Sequence, residues 1–386
     1  MAIMKRGYSW RVMESYTGLD GKRHQVTRTA HSSNEAKLMA AKLRIEIGKG
    51  TYNEPSKMPL KMYLEQWLSG QVRTTVSPRT HELYSYLSHK FIIPAIGEIK
   101  LSQLRPQHIQ KFYADMLQHV SPRTVQLYHV TLHKALSYAV KTGLMANNPC
   151  LLVETPRVER HEMKIMNEAD IKKFLDEARK GDYYALFYVY LFTGLRRGEA
   201  ISLRWSDIDL LGCQLSVNRT MQFIDNKVTF KQPKTNASRR QIALSPSTCV
   251  VLRLHREAQN EMRKSLNGPP VSESDLVFCQ GAGAPLLPDS VTHAWRKLTK
   301  KCGLDGVRLH DARHTHASLM LKSGVSPKVI QERLGHSTFA VTMNLYAHVS
   351  PGMQQAAANR FDDVIIGNAD SHNAVTIPSP SAKNDK

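Results

Sequence analysis

Polar and apolar positions alternate strictly at two places near the start of the chain, Tyr8 to Glu14 and Lys22 to Ala30. Period-two alternation is the signature of a strand with one face buried, and Asp20-Gly21 between the two runs is a hairpin turn signal. Ser32-Ser33-Asn34-Glu35 then has the form of a capping box, which predicts a helix running to Gly48. A small sheet with one helix follows, carrying the basic residues Lys22, Arg23 and Arg28 on its strands as candidate contacts to an anionic partner. Lys49, Gly50, Pro55 and Pro59 read as a linker. From residue 58 to 153 the apolar spacing becomes helical. Within it, Val76-Ser77-Pro78-Arg79-Thr80 recurs as Val120-Ser121-Pro122-Arg123-Thr124, and each copy continues to a His-Lys pair. Ser at the N-cap and Pro at the first helical position start a helix well, and that alone accounts for the echo structurally. Functionally, each start also offers free backbone N–H groups and an arginine, Arg79 or Arg123, to a phosphate.

Asn148-Pro149 and Pro156 interrupt the helical pattern. Beyond them the chain reads as mostly helical to residue 366. The exception is 214–244, which alternates as three short strands with turns at Asp225-Asn226 and Pro233 to Asn236. Met353, Ala357, Phe361, Val364 and Ile365 form one helical stripe, and the polar tail after Gly367 is expected to be disordered. The expected architecture is multidomain α+β. It comprises a sheet-plus-helix unit with its linker (1–57), an all-helical domain (58–157), a mainly helical domain with a small three-stranded sheet (158–366), and the tail (367–386).

Charge changes this picture more than composition does. The chain has 386 residues, with 53 Lys+Arg against 33 Asp+Glu, a net charge of +20. Residues 1–57 and 58–157 each carry +6, and the remainder carries +8. Charge spread so evenly suits a body that meets a polyanion along its length, rather than one basic tail. Five widely spaced cysteines without a C-x-x-C pair fit neither a disulfide framework nor a structural zinc site. No apolar run follows the charges at the start, so no secretory leader is expected. The longest apolar stretch, Tyr183 to Phe192, is about half of a membrane span.

Four segments carry concentrated chemistry: Thr193-Gly-Leu-Arg-Arg-Gly-Glu199, Pro233-Lys234-Thr235, His310-Asp-Ala-Arg-His314, and Leu334-Gly-His336 followed by Tyr346. His310 and His314, four apart on a helix with Asp311 between them, raise a metallohydrolase alternative. Arg313 on the same turn opposes a dication, and no third ligand stands at a suitable spacing. Taken together, the segments suit metal-free phosphoryl transfer instead. Two guanidinium forks would clamp a phosphodiester, a tyrosine would attack in line, and a lysine would protonate the leaving oxygen.

In this order and spacing the motifs resemble those of the tyrosine recombinases, in particular phage and conjugative-transposon integrases. The resemblance implies that Arg196 and Arg313 clamp the phosphate and that Lys234 on a hairpin is the general acid. His310 and His336 would assist, and Tyr346 would be the nucleophile, forming a 3′-phosphotyrosine. Glu199 and His314 would support the site. It also implies an arm-binding first domain, a core-binding helical domain and a homo-tetramer on double-stranded attachment sites. A host DNA-bending protein and a directionality factor would be possible partners. The setting would be the cytoplasm of a bacterial host, with no membrane, no ATP and no metal cofactor. A type IB topoisomerase shares the residue set, and a catalytically silent DNA-binding regulator shares the body; both stay open at this point.

Overall fold

The structure is a computed structural model describing residues 2–17, 23–48, 56–159, 163–232, 239–281, 283–336, 338–339, 342–343, 358–359 and 361. Lys22, Lys234, Tyr346, the polar tail and most of the 353–366 stripe lie outside the described residues. The chain divides into two compact units, Met1–Arg160 and His161–Lys386.

The first unit opens with an antiparallel sheet of order β1-β2-β3: β1 (Ala2–Arg6), β2 (Ser9–Thr17) and β3 (Arg23–Ala30). Val12, Val26 and Ala30 pack against Ala36, Ala40 and Leu43 of α1 (Ser33–Gly48). The helix starts where its cap residues stand. The Glu35 amide donates to Ser32 Oγ at 3.1 Å, and the His31 amide donates to the Glu35 carboxylate at 2.7 Å. β1 is an addition to the expected pair of strands. Gly7, at φ +61°, turns the chain with Tyr8 so that the paired strand begins at Ser9.

A second core in this unit belongs to α2 (Leu60–Trp67), α3 (Arg73–Thr75), α4 (Pro78–Leu87), α5 (Ile93–Ile96), α6 (Pro106–Leu117) and α7 (Pro122–Lys141). Tyr63, Trp67, Tyr84, Phe112 and Tyr128 fill its centre. The repeated Ser-Pro-Arg-Thr starts are realised alike. Ser77 Oγ accepts from the Thr80 amide and Ser121 Oγ from the Thr124 amide, each at 3.3 Å.

The second unit contains α8 (Glu168–Ala178), α9 (Tyr184–Thr193), α10 (Arg197–Ala200), β4 (Ile208–Asp209), β5 (Gln214–Val217), β6 (Thr220–Ile224), β7 (Lys227–Lys231), β8 (Arg240–Ala243), α11 (Pro246–Ser265), α12 (Pro288–Lys301), α13 (Leu309–Lys322) and α14 (Pro327–Leu334). The uninterrupted apolar run from Ala185 to Leu191 makes α9 the buried axis, packed by Phe174 and Trp295. The 214–244 region differs in arrangement from three strands in one sheet. Asp225 and Asn226, both at positive φ, fold β6 and β7 into a separate hairpin, while β5 pairs with β4 and across the insertion with β8. No helix among the described residues is long and apolar enough to cross a membrane.

Candidate active site

Two glycine turns place the two arginines. Helix α9 ends at Gly194 with φ +65°, and α14 ends at Gly335 with φ +64°. A Cβ at Gly194 would meet Leu334 Cδ2 at 2.5 Å, and one at Gly335 would meet Arg240 Nη1 at 3.0 Å. Glycine is required at Gly194 both for its left-handed backbone and for that close approach. The turns expose carbonyls that hold guanidiniums. Arg313, on α13 and 2 % exposed, donates from Nη1 to Gly194 O and from Nη2 to Leu334 O, each at 2.6 Å. Arg196, the N-cap of α10, donates to the adjacent Gly335 O at 2.7 Å. Anchored on consecutive carbonyls of one turn, the two cations stand side by side. Burial first, then the charge of Arg196, pulls the Arg313 pKa below its usual value. Arginine begins so high that Arg313 remains protonated at neutral pH.

Glu199 answers part of this charge. It is buried, accepts from the Arg196 amide at 2.9 Å and Arg196 Nη1 at 2.8 Å, and pairs with Arg240 Nη2 at 2.9 Å. Burial alone would raise its pKa. The Arg240 hydrogen bond and charge, followed by Arg196, outweigh burial and hold the carboxyl below its ordinary value. A depressed carboxylate contributes stability above its unfolded pKa and loses it as pH falls through the folded one. The urea midpoint of the native chain should therefore fall as pH drops below about 5. Glu199→Gln should flatten that slope and cost about 3 kcal/mol at neutral pH, because the charged acceptor shared by Arg196 and Arg240 is lost. An unchanged acid slope would remove Glu199 from this role.

The histidines are kept neutral. On α13, His310 and His314 meet edge to face with centroids 4.7 Å apart. Desolvation, then Arg313, lowers His310, and burial, then His310, lowers His314 to about 4. His336, 8 % exposed, bonds through Nδ1 to Thr342 Oγ1 at 2.9 Å; burial, then Arg313 and Arg196, lowers it to about 4. Neutral imidazoles beside paired guanidiniums can each offer one N–H to an anion and still accept a proton elsewhere. Asp311, the carboxylate of the metal alternative, is committed to Arg308 at 2.8–3.0 Å as the cap of α13. No group of three or more metal-ligating side chains occurs among the described residues.

Arg196, Glu199, His310, Arg313, His314 and His336 are thus gathered around the Gly194 and Gly335 turns, while Lys234 and Tyr346 lie outside the described residues. Three residues were missed by sequence reasoning. Arg240 on β8 anchors Glu199 and donates from Nε to Arg333 O at 2.7 Å. Arg333 donates to Phe192 O, Ala243 O and His316 Nε2 at 2.9–3.1 Å, and His316 Nδ1 reaches Leu191 O at 2.9 Å. Burial, then Arg333, lowers His316 to about 4, in keeping with a neutral ring that donates at Nδ1 and accepts at Nε2. The signals available were only the Arg239-Arg240 doublet and the charges flanking the two known motifs.

The candidate contacts of the first unit are dispersed. Arg23 and Arg28, an odd number of residues apart on β3, fall on opposite faces, with Arg28 opposite Val12. Arg79 pairs with Glu82 at 2.6 Å and Arg123 bonds Gln126 at 3.0 Å, both at exposed helix starts. If these starts hold phosphates, Arg79→Ala and Arg123→Ala should each weaken duplex binding for all sequences alike. Each should also reduce the salt slope by about one in filter-binding titrations. An unchanged slope would leave them as helix starts alone.

The phage integrase family profile matches residues 160–353, and a phage integrase N-terminal SAM-like domain profile matches residues 60–117. The XerC-like tyrosine recombinase of Caldanaerobacter subterraneus is 30 % identical, over 78 % of this chain and 82 % of that protein. The ICEBs1 integrase of Bacillus subtilis is 26 % identical over 93 % of this chain and 97 % of its own length. Among solved structures, the Tn1549 transposon integrase in complex with transposon right end DNA superposes with a TM-score of 0.67 at 19 % identity. That match covers 78 % of this chain and 99 % of the other. A lambda integrase dimer bound to a core site gives 0.59 at 17 %, covering 89 % and 93 %. The chain belongs to the phage integrase family.

Proposed function

We propose that this member of the phage integrase family is a site-specific DNA recombinase that integrates or excises a mobile element by a tyrosine mechanism. The observation that carries the reading is the pair of guanidiniums, Arg196 and Arg313, hung on Gly335 O and Leu334 O. Like charges held together in a buried turn are costly unless an anion is due to arrive, and a phosphodiester matches their fork geometry. Glu199 bonds both Arg196 and Arg240 and so offsets part of this charge.

In this reading Tyr346 Oη attacks phosphorus, the bond to the 5′-oxygen breaks, and Lys234 delivers a proton to that oxygen. The products are a 3′-phosphotyrosine and a free 5′-hydroxyl. The neutral His310, His314 and His336 hydrogen-bond the phosphate oxygens and relieve the tyrosine of its proton. The bond energy is stored in the protein–DNA link, so no ATP is consumed, and the arginines do the work a metal would do. The partner strand's 5′-hydroxyl reverses the step.

Residues 1–57 would bind arm sites, 58–157 the core site, and 158–366 would carry the chemistry. Four protomers would act on two duplexes in the bacterial cytoplasm, with a DNA-bending protein and a directionality factor as further partners. The full-length similarity to the ICEBs1 integrase supports partner exchange over simple relaxation of DNA. The test is a nicked suicide substrate carrying the cognate attachment site. A covalent adduct that survives denaturation is expected, and its absence with bound DNA would sink the proposal.

A further inference from the structure

Away from the Glu199 cluster, the second unit has a hollow of about 430 Å³ lined by Arg204, Arg219, Phe230, Lys231, Gln232 and Arg239 together with Asn218. Its lining is cationic with no carboxylate in it. Arg219 is matched by Asp207, which lies beneath and is itself buried, accepts from Asn218 at 2.9 Å and caps Arg204 through its amide. The Arg204 guanidinium lies 5.9 Å from the Phe230 ring and donates to Ser274 O at 2.9 Å. Among the described residues Arg239 bonds a neutral partner in the lining, Gln232, at 2.5 Å. Among the described residues no carboxylate pairs with Arg204, Lys231 or Arg239, so three charges face one concavity without an internal counter-ion. None of these side chains belongs to the machinery assigned above.

The hollow is tied to that machinery by the backbone. Arg239 and Arg240 are consecutive at the start of β8, so alternation sends one to the hollow and the other to Glu199. Lys231 ends β7 of the hairpin whose following residues include Lys234. An anion seated here would therefore hold the end of β7 and the strand β8 that carries Arg240.

We propose that this hollow binds one non-reacting phosphodiester of the DNA duplex, separate from the phosphate held by Arg196 and Arg313. Its charge gives a sequence-independent contact that fixes register, and the guanidinium of Arg204 over Phe230 gives it a stiff floor. The inference rests on the reading that the chain binds duplex DNA.

The test uses the full chain and an attachment-site duplex with single methylphosphonates walked along both strands. Native protein should lose roughly tenfold in affinity at one phosphate other than the one cleaved. The double variant Lys231→Gln, Arg239→Gln, at one half-buried and one exposed position, should bind unmodified DNA roughly tenfold more weakly, with a salt slope shallower by about one. It should also become indifferent to that methylphosphonate, with an unchanged melting temperature. A double variant that keeps the native slope and the native methylphosphonate profile overturns the proposal. So does loss of inorganic phosphate binding with no change on DNA, which would assign the hollow to a small free anion. The suicide-substrate adduct of the native chain is scored separately, so failure of the recombinase reading and failure of this site are distinguishable.

Discussion

A chain carrying Tyr346→Phe is expected to bind its attachment-site duplex within about twofold of the native chain and to form no covalent adduct at all. The substitution removes one oxygen atom. Affinity for duplex comes from many phosphate contacts spread over a body with +20 net charge, whereas the covalent step has one nucleophile. Among the described residues nothing around the Gly194 and Gly335 turns can replace it. The histidines there are neutral, His336 held by Thr342 and His310 and His314 packed on each other, and a transient phosphohistidine would not survive denaturation in acid as a phosphotyrosine does. The measurement is a denaturing gel of protein with nicked substrate, beside a binding titration on intact duplex. An adduct of native yield from the Phe variant would show that another side chain attacks, and would remove Tyr346 from the mechanism. Loss of binding along with the adduct would mean that the residue holds the fold rather than attacks.

Those parts of the site that depend on short-range pattern were legible in the sequence. Arg196 and Glu199 lie one helical turn apart and form a cap, and His310, Arg313 and His314 share one face of α13. Such groupings survive projection onto a string of letters. Arg240, His316 and Arg333 were not legible, because their partners lie 17 to 141 residues away: Glu199 for Arg240, Leu191 for His316, Phe192 for Arg333. Turn chemistry was readable at Asp225-Asn226, where both residues adopt positive φ. The partition of strands was not. Whether β5 takes its next neighbour or β8 is decided by burial of Leu215 against Ile242, a pairing across 27 positions. The strand β1 escaped notice for a related reason. Its five residues are only half-buried to exposed, so their alternation is weak and only the ladder with β2 defines them.

Arg313→Lys should be nearly as damaging as loss of the nucleophile, though it keeps the charge. The guanidinium is 2 % exposed and bridges two carbonyls from different elements, Gly194 O after α9 and Leu334 O at the end of α14. A planar fork satisfies both with one rigid group and still presents a remaining N–H edge to a phosphate. An ammonium is a single point of charge. Reaching one carbonyl, it abandons the other, and either way it leaves a buried acceptor unpaired and the turn that also seats Arg196 without its brace. Stability should fall by about 2–4 kcal/mol, the cost of a lost charge-assisted bond with a buried polar group left bare. Cleavage should fall by at least about 10³-fold, since the clamp is needed most when charge develops on the phosphate. Duplex affinity should change by no more than about threefold below the unfolding temperature, because one contact in many is altered. Arg240→Lys is the control. It too removes a buried fork, from Glu199 and Arg333 O, but from behind the site, so its stability loss should be similar and its cleavage loss much smaller. Equal cleavage losses in the two variants at matched folded fraction would show that Arg313 acts through the fold alone, and not as a clamp on the phosphate.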